Sequence, residues 1–132
     1  MSRQNIPSGS PLEPKIGFSR AVRIGDMIAV AGTAPIAEDG GTEGPGDVAA
    51  QTRRCLEISL DALREAGGTP EDVIRTRILL TDIAQWNTAA TVHGEIFAGV
   101  RPACTFMEVS RFIDPAWLVE TELDAVISRS PE

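Results

Sequence analysis

The side chains best suited to chemistry lie near the C-terminus. Glu120, Glu122 and Asp124 alternate within residues 118–128, and strand alternation puts all three on one face. Like charges in a row raise the pKa of some members, which moves a carboxyl toward the range useful for acid–base work. The same row also suits a solvated or interfacial face. Cys104, Phe106 and Glu108 form a second alternating set. Cys104 is a nucleophile only beside a base or cation that populates its thiolate. His93 is the single histidine, so a Cys–His pair is conceivable. Yet Cys104 falls in a strand and His93 on the apolar stripe of a helix, and small apolar filler and a packing histidine are the plainer readings. Phe18 and Phe106 suit an apolar cleft wall or plain core packing. Cys55, Cys104 and His93 lack zinc-site spacing. Gly40-Gly41 and Gly44-Pro45-Gly46 do not feed a helix in the manner of a phosphate loop. Arg53, Arg54, Arg75 and Arg77 read as solvated or paired with acids.

The elements that must hold these residues follow from periodicity. Residues 1–15 carry three prolines and little pattern, and read as an irregular N-terminal arm before a single domain over 16–132. Phe18 to Ile24 alternates, with Phe18, Val22 and Ile24 on one face. Gly25-Asp26 is a hairpin turn signal, and Met27 to Thr33 follows as an apolar strand. Ala34 to Gly46 is a glycine- and proline-rich loop, long enough to form a site rim. Asp47 is a suitable N-cap for a helix to about Ala66, which Gly67-Gly68 stops. Val73 to Leu80 is a strand with Ile74, Ile78 and Leu80 facing one way and Arg75 and Arg77 the other. Asp82 and Gln85 resemble a capping box for a second helix bearing Ile83, Trp86, Ala90, His93 and Phe97, which Gly99 ends. On that stripe Trp86 reads as core. Ala103–Val109 and Leu118–Ser128 are strands.

The order β-β-α-β-α-β-β reads as α+β, with two helices on one face of a mixed sheet. The opposite face would carry Phe106 and Leu118 among carboxylates. That mixture fits a subunit interface with polar cavities, hence a homo-oligomer. Trp117, in the loop before the last strand, is placed to reach a neighbouring subunit.

Composition removes several classes. The chain has 132 residues, 42% hydrophobic and 23% charged, which is ordinary for one globular domain. A net charge of −7 disfavours nucleic acid as a partner. No apolar run approaches the ~20 residues that span a bilayer, and Met1 to Asn5 lacks a signal-peptide apolar segment. Two cysteines make no disulfide framework. A cytoplasmic protein is the expectation, with a small molecule as ligand.

The ordered motifs resemble the RidA (YjgF) family. They are Gly17 to Val22, Ile28 to Pro35, Gln51-Thr52, Ala66-Gly67, Arg101-Pro102-Ala103, Glu108-Val109 and Val119 to Glu122, and the likeness runs over roughly residues 16–127. The resemblance implies a chorismate-mutase-like fold and a homotrimer with three clefts between subunits. It implies hydrolysis of reactive enamines and imines to keto acids and ammonia, without metal or organic cofactor. Some members have been described as endoribonucleases.

Carried over residue by residue, the family's water-holding glutamate falls on Glu120. Its pocket tyrosine falls on Phe18, its serine on Ala31, its helix asparagine on Ala90, and its carboxylate-binding arginine on Cys104. Backbone groups near Gly32 to Ala34, including Thr33, and near Cys104 and Thr105 would orient the ligand. The loss of the arginine matters most, because its planar fork binds a carboxylate bidentately and a thiol does not. The chain thus resembles the family's arginine-lacking members. Its expected ligand is less anionic or bulkier than a small imino acid, and a non-catalytic binding protein using the same cleft is the alternative.

Overall fold

A computed structural model describes residues 2–128 of the chain; the domain end expected at residue 132 lies outside them. Six strands and two helices alternate: β1 (Arg3–Ile6), β2 (Ala21–Ile24), β3 (Met27–Thr33), α1 (Val48–Glu65), β4 (Val73–Leu80), α2 (Trp86–Phe97), β5 (Ala103–Glu108) and β6 (Val119–Val126). They form one sheet in the order β1-β2-β3-β6-β4-β5. Among the described strands only β4 and β5 run parallel, and α2 supplies the crossover that a parallel pair needs. The class is the expected α+β, with both helices on one face.

Buried positions explain the layering. Val119, Thr121, Leu123 and Ala125 of β6 are buried while the residues between them are half-exposed. Leu56, Leu60 and Leu63 of α1 pack on this row with Ile28 and Val30 of β3. Each such leucine contributes about 1.5–3 kcal/mol by leaving water. Asp47 caps α1 by accepting from the Ala50 N–H at 3.0 Å. At the other end Gly67 adopts a φ of +97°, and the Arg23 guanidinium donates to the Ala66 carbonyl at 2.7 Å.

The structure corrects several expectations. The arm over residues 1–15 is not wholly irregular: β1 pairs with β2. Three of its four residues are exposed, so it lacked an apolar pattern to reveal it. The second strand starts at Ala21, not Phe18. In β4 a register shift between Val73 and Arg75 turns Ile74 outward and gives Val73 the inward place. A tight turn at Ile83–Gln85, capped by Asp82, delays α2 to Trp86. Trp86 is therefore 45% exposed rather than core.

The largest correction concerns β5. Parallel pairing sets Cys104, Phe106 and Glu108 beside Thr76, Ile78 and Leu80, which are buried under the helices. Phe106 thus lies on the helix side, packed with Ile78 and Leu80 and edge-on to Trp86. Leu118 joins the same cluster. The open face carries Val22, Ile24, Met27 and Ala29 beside Arg77, Glu122 and Asp124.

Candidate functional site

A cavity of about 870 Å³ opens where β3, β6 and the segment leading into β2 meet the side of α1. Phe18, Arg20, Ala31, Gly32, Trp117 and Glu120 line it, together with Pro7 to Pro11 of the N-terminal arm. A bulge in the β3–β6 pairing between Val30 and Thr33 brings Ala31 and Gly32 to its wall.

Gly32 lies close against the acid. A Cβ added there would stand 3.2 Å from Glu120 Oε1 and 3.8 Å from Glu122 Oε2. The missing side chain is what lets the carboxylate lie against the bulge. Glu120 is half-buried, and burial raises its pKa. The neighbouring Glu122 carboxylate raises it further, while the Arg20 cation acts the other way. Arg77 holds the remaining acids, at 3.3 Å from Glu122 and 3.7 Å from Asp124. The carboxylate row is thus divided: Glu122 and Asp124 share one arginine, and Glu120 is left facing the cavity.

The segment that carries Trp117 and Glu120 is tied down by Gln51. This side chain is wholly buried. Its amide donates to the Ala116 carbonyl at 3.1 Å and to the Gly44 carbonyl at 3.3 Å. Its oxygen accepts from the Leu118 N–H at 2.8 Å. One side chain therefore fixes the long loop, α1 and the approach to β6 in register.

Phe18, Ala31, Gly32 and Glu120 come together in this cavity. Thr33 sits beside them, but it is fully buried and its hydroxyl is used internally, donating to the Ala31 carbonyl and accepting from Arg20. Ala90, Cys104, Thr105 and Phe106 are not in the cavity. Strand β5 is separated from β6 by β4, which is two strand spacings or about 10 Å. Cys104 pairs with Thr76 and Thr105 with Arg77, so their side chains point to opposite faces of an edge strand. His93 makes no pair with Cys104 among the described contacts. Its Nε2 shares a 2.8 Å hydrogen bond with the Thr76 hydroxyl, and burial lowers its pKa. Cys55 is buried, and burial pushes its thiol far upward, as expected of an inert thiol. Among the described residues no group of His, Cys, Asp or Glu is arranged to hold a metal.

Arg20 is a site residue that the sequence does not single out: alternation from Phe18 through Val22 sets it on the face of Phe18, but its role depends on the bulge in β3. Ile113 of the following loop, 95% exposed, also reaches the cavity rim; nothing in its local sequence distinguishes it.

Comparison with known proteins agrees with the fold. The profile of the family described as endoribonuclease L-PSP matches residues 9–127. The chain is 38% identical over 122 residues to an uncharacterized protein of Streptomyces coelicolor, covering 92% of this chain and 90% of that one. It is 32% identical over 111 residues to a RutC family protein of Pyrococcus abyssi, covering 84% and 87%. The crystal structure of a YjgF/YER057c/UK114 family member from Mycobacterium tuberculosis matches with a TM-score of 0.86 at 44% identity, covering 96% of this chain and 100% of that one.

Proposed function

The chain belongs to the endoribonuclease L-PSP family, the group of the YjgF and Rid proteins, and on that premise we propose that it hydrolyses reactive enamine or imine metabolites, with Glu120 as the group that holds and activates water. The observation that carries this reading is the placement of Glu120: half-buried, free of an ion pair among the described residues, and facing an open cavity. A carboxyl whose pKa is raised by burial is a better proton carrier near neutral pH than an ordinary glutamate.

The chemistry balances without a further reagent. An enamine first becomes the imine by gaining a proton on carbon and losing one from nitrogen. The water oxygen then forms a bond to the C=N carbon as Glu120 accepts one water proton; the π pair moves to nitrogen, and Glu120 passes that proton to it. The carbinolamine collapses to C=O as its hydroxyl proton moves through Glu120 to nitrogen, the C–N bond breaks and ammonia leaves. Glu120 ends as the carboxylate it began as.

The proposed assembly is a homotrimer whose clefts lie between subunits. Two features support it. Strand β5 lies at the sheet edge with its outer side unpaired among the described strands. The open sheet face mixes Val22, Ile24 and Met27 with ion-paired charges, a composition suited to burial against another copy. A neighbour's Cys104 and Thr105 would then complete the pocket. The net charge of −7 speaks against RNA as substrate. Two free thiols suit a reducing, cytoplasmic setting, and no helix among the described residues is long and apolar enough to cross a membrane.

One observation favours a second reading. Cys104 stands where the resemblance puts the carboxylate-binding arginine, and a cleft without it suits a non-catalytic protein that binds a metabolite. The deciding experiment is ammonia release from imines formed in situ by an amino-acid oxidase, over a panel of side chains. Acceleration by the protein supports hydrolysis; none on any substrate leaves the binding reading.

A further inference from the structure

We infer that Arg20 is the anion-holding residue of the Glu120 cavity, taking the carboxylate of a ligand with a bulky apolar substituent from within the same protomer. This rests on the cavity being the ligand site proposed above, but not on hydrolysis taking place there.

The argument begins with how Arg20 is held. Its Nη1 donates to the Gly32 carbonyl at 3.3 Å and to the Thr33 hydroxyl at 3.1 Å. Both acceptors belong to the bulge that places Gly32 against Glu120 Oε1. The cation and the acid therefore flank one residue. No hydrogen bond to Nε or Nη2 of Arg20 occurs among the described residues, and Arg20 forms no ion pair with Glu120 or any other described acid. A guanidinium presents its donors in a planar fork and stays charged when partly buried. One nitrogen anchors the group to the bulge, and the remaining donors are left for an anion.

The other arginine in the cavity is already occupied. Arg54 donates to the Ile36 carbonyl at 2.6 Å and lies 3.7 Å from Glu57. Arg20 is thus the cavity cation with no carboxylate in ion-pair contact among the described residues, although the charges of Glu13 and Glu120 lie near enough to favour its charged form. Beside it stand Phe18, Ile58, Ile113 and Trp117, walls that suit an aromatic or branched substituent better than a methyl group. A carboxylate held by Arg20 would bring the adjacent C=N carbon of an imino acid toward Glu120, since both side chains lie next to Gly32. With no arginine on β5, the carboxylate grip falls to Arg20, and of the two ligand types expected, less anionic or bulkier, this arrangement selects the bulkier one.

The test is equilibrium binding by calorimetry of phenylpyruvate, of its uncharged primary amide and of pyruvate, to wild type, Arg20→Gln and Arg20→Lys. Gln keeps a donor for Gly32 and Thr33 but removes the charge. Phenylpyruvate should bind wild type more tightly than its amide and than pyruvate. Arg20→Gln should lose about ten- to a hundredfold in affinity for the acid, the range of charged hydrogen bonds, with little change for the amide. Arg20→Lys should fall between. Equal binding of the acid to wild type and Arg20→Gln overturns the inference. So does a wild type that binds acid and amide alike, or binds neither, and so does an equal loss for both ligands. If Arg20→Gln does not fold, Arg20→Lys decides: affinity for the acid equal to that of wild type, against the intermediate value expected, overturns the inference. Acid-selective binding without imine turnover would sink the hydrolysis alone, and turnover with Arg20-independent binding would sink this inference alone.

Discussion

Catalysis in this account comes down to one carboxylate and the residue that makes room for it. Because the pKa of Glu120 is raised in the folded protein, the folded state binds its proton more tightly than the unfolded chain does. The resulting stability is present at acid pH and is lost as pH rises through the raised value. Glu120→Gln should therefore unfold at a higher temperature than wild type at neutral pH, and a scan showing lower stability there would contradict the electrostatic picture. Turnover should rise with pH as Glu120 ionises, with a midpoint above the ordinary carboxylate range; a midpoint at or below that range would contradict a raised pKa. Gly32→Ala brings a methyl group to 3.2 Å from Glu120 Oε1. The acid must then give by a few tenths of an ångström, which should lower the rate, by less than the roughly 100-fold that a full 1 Å misplacement costs. Unchanged steady-state kinetics in this variant would show that the position of Glu120 over the bulge is unimportant.

Between strands and loops, Gln51 is the tie. Replacing it with Leu fills the space but strands the Leu118 N–H and the Ala116 and Gly44 carbonyls, at about 1–3 kcal/mol for each buried group that finds no water. Chemical denaturation of Gln51→Leu should show a loss of that order, and kcat should fall with it because Trp117 and Glu120 follow directly. A variant as stable and active as wild type would remove Gln51 from that role. Elements with strong periodicity were legible in advance: Asp47 marked the start of α1, Gly67-Gly68 its end, and Val73 to Leu80 was read with its observed bounds. What escaped had a physical reason. Strand β1 has one buried residue and owes its form to β2. Ile74 turns outward through a register shift that local alternation does not encode. Phe106 was assigned to the open face because alternation says which residues share a face but not which face the helices cover. Of the site, the Phe18, Ala31, Gly32 and Glu120 group was legible through motif order, whereas Arg20 was missed because its role depends on a bulge in another strand.

For the whole molecule, the two halves of the expected pocket lie apart within a protomer. Glu120 and Phe18 are in one cavity, while Cys104 is on the edge strand beyond β4. Assembly is the proposed remedy. Light scattering at micromolar concentration should return the mass of three chains, and a stable monomer would contradict the shared cleft. The central claim is that Glu120 activates water for imine hydrolysis. Its most direct test is ammonia release from oxidase-generated imines by wild type and Glu120→Gln, compared at equal concentration after their folding and assembly have been matched. Wild type should accelerate the release clearly and Glu120→Gln not at all. Equal acceleration by both proteins would contradict a water-activating role for Glu120.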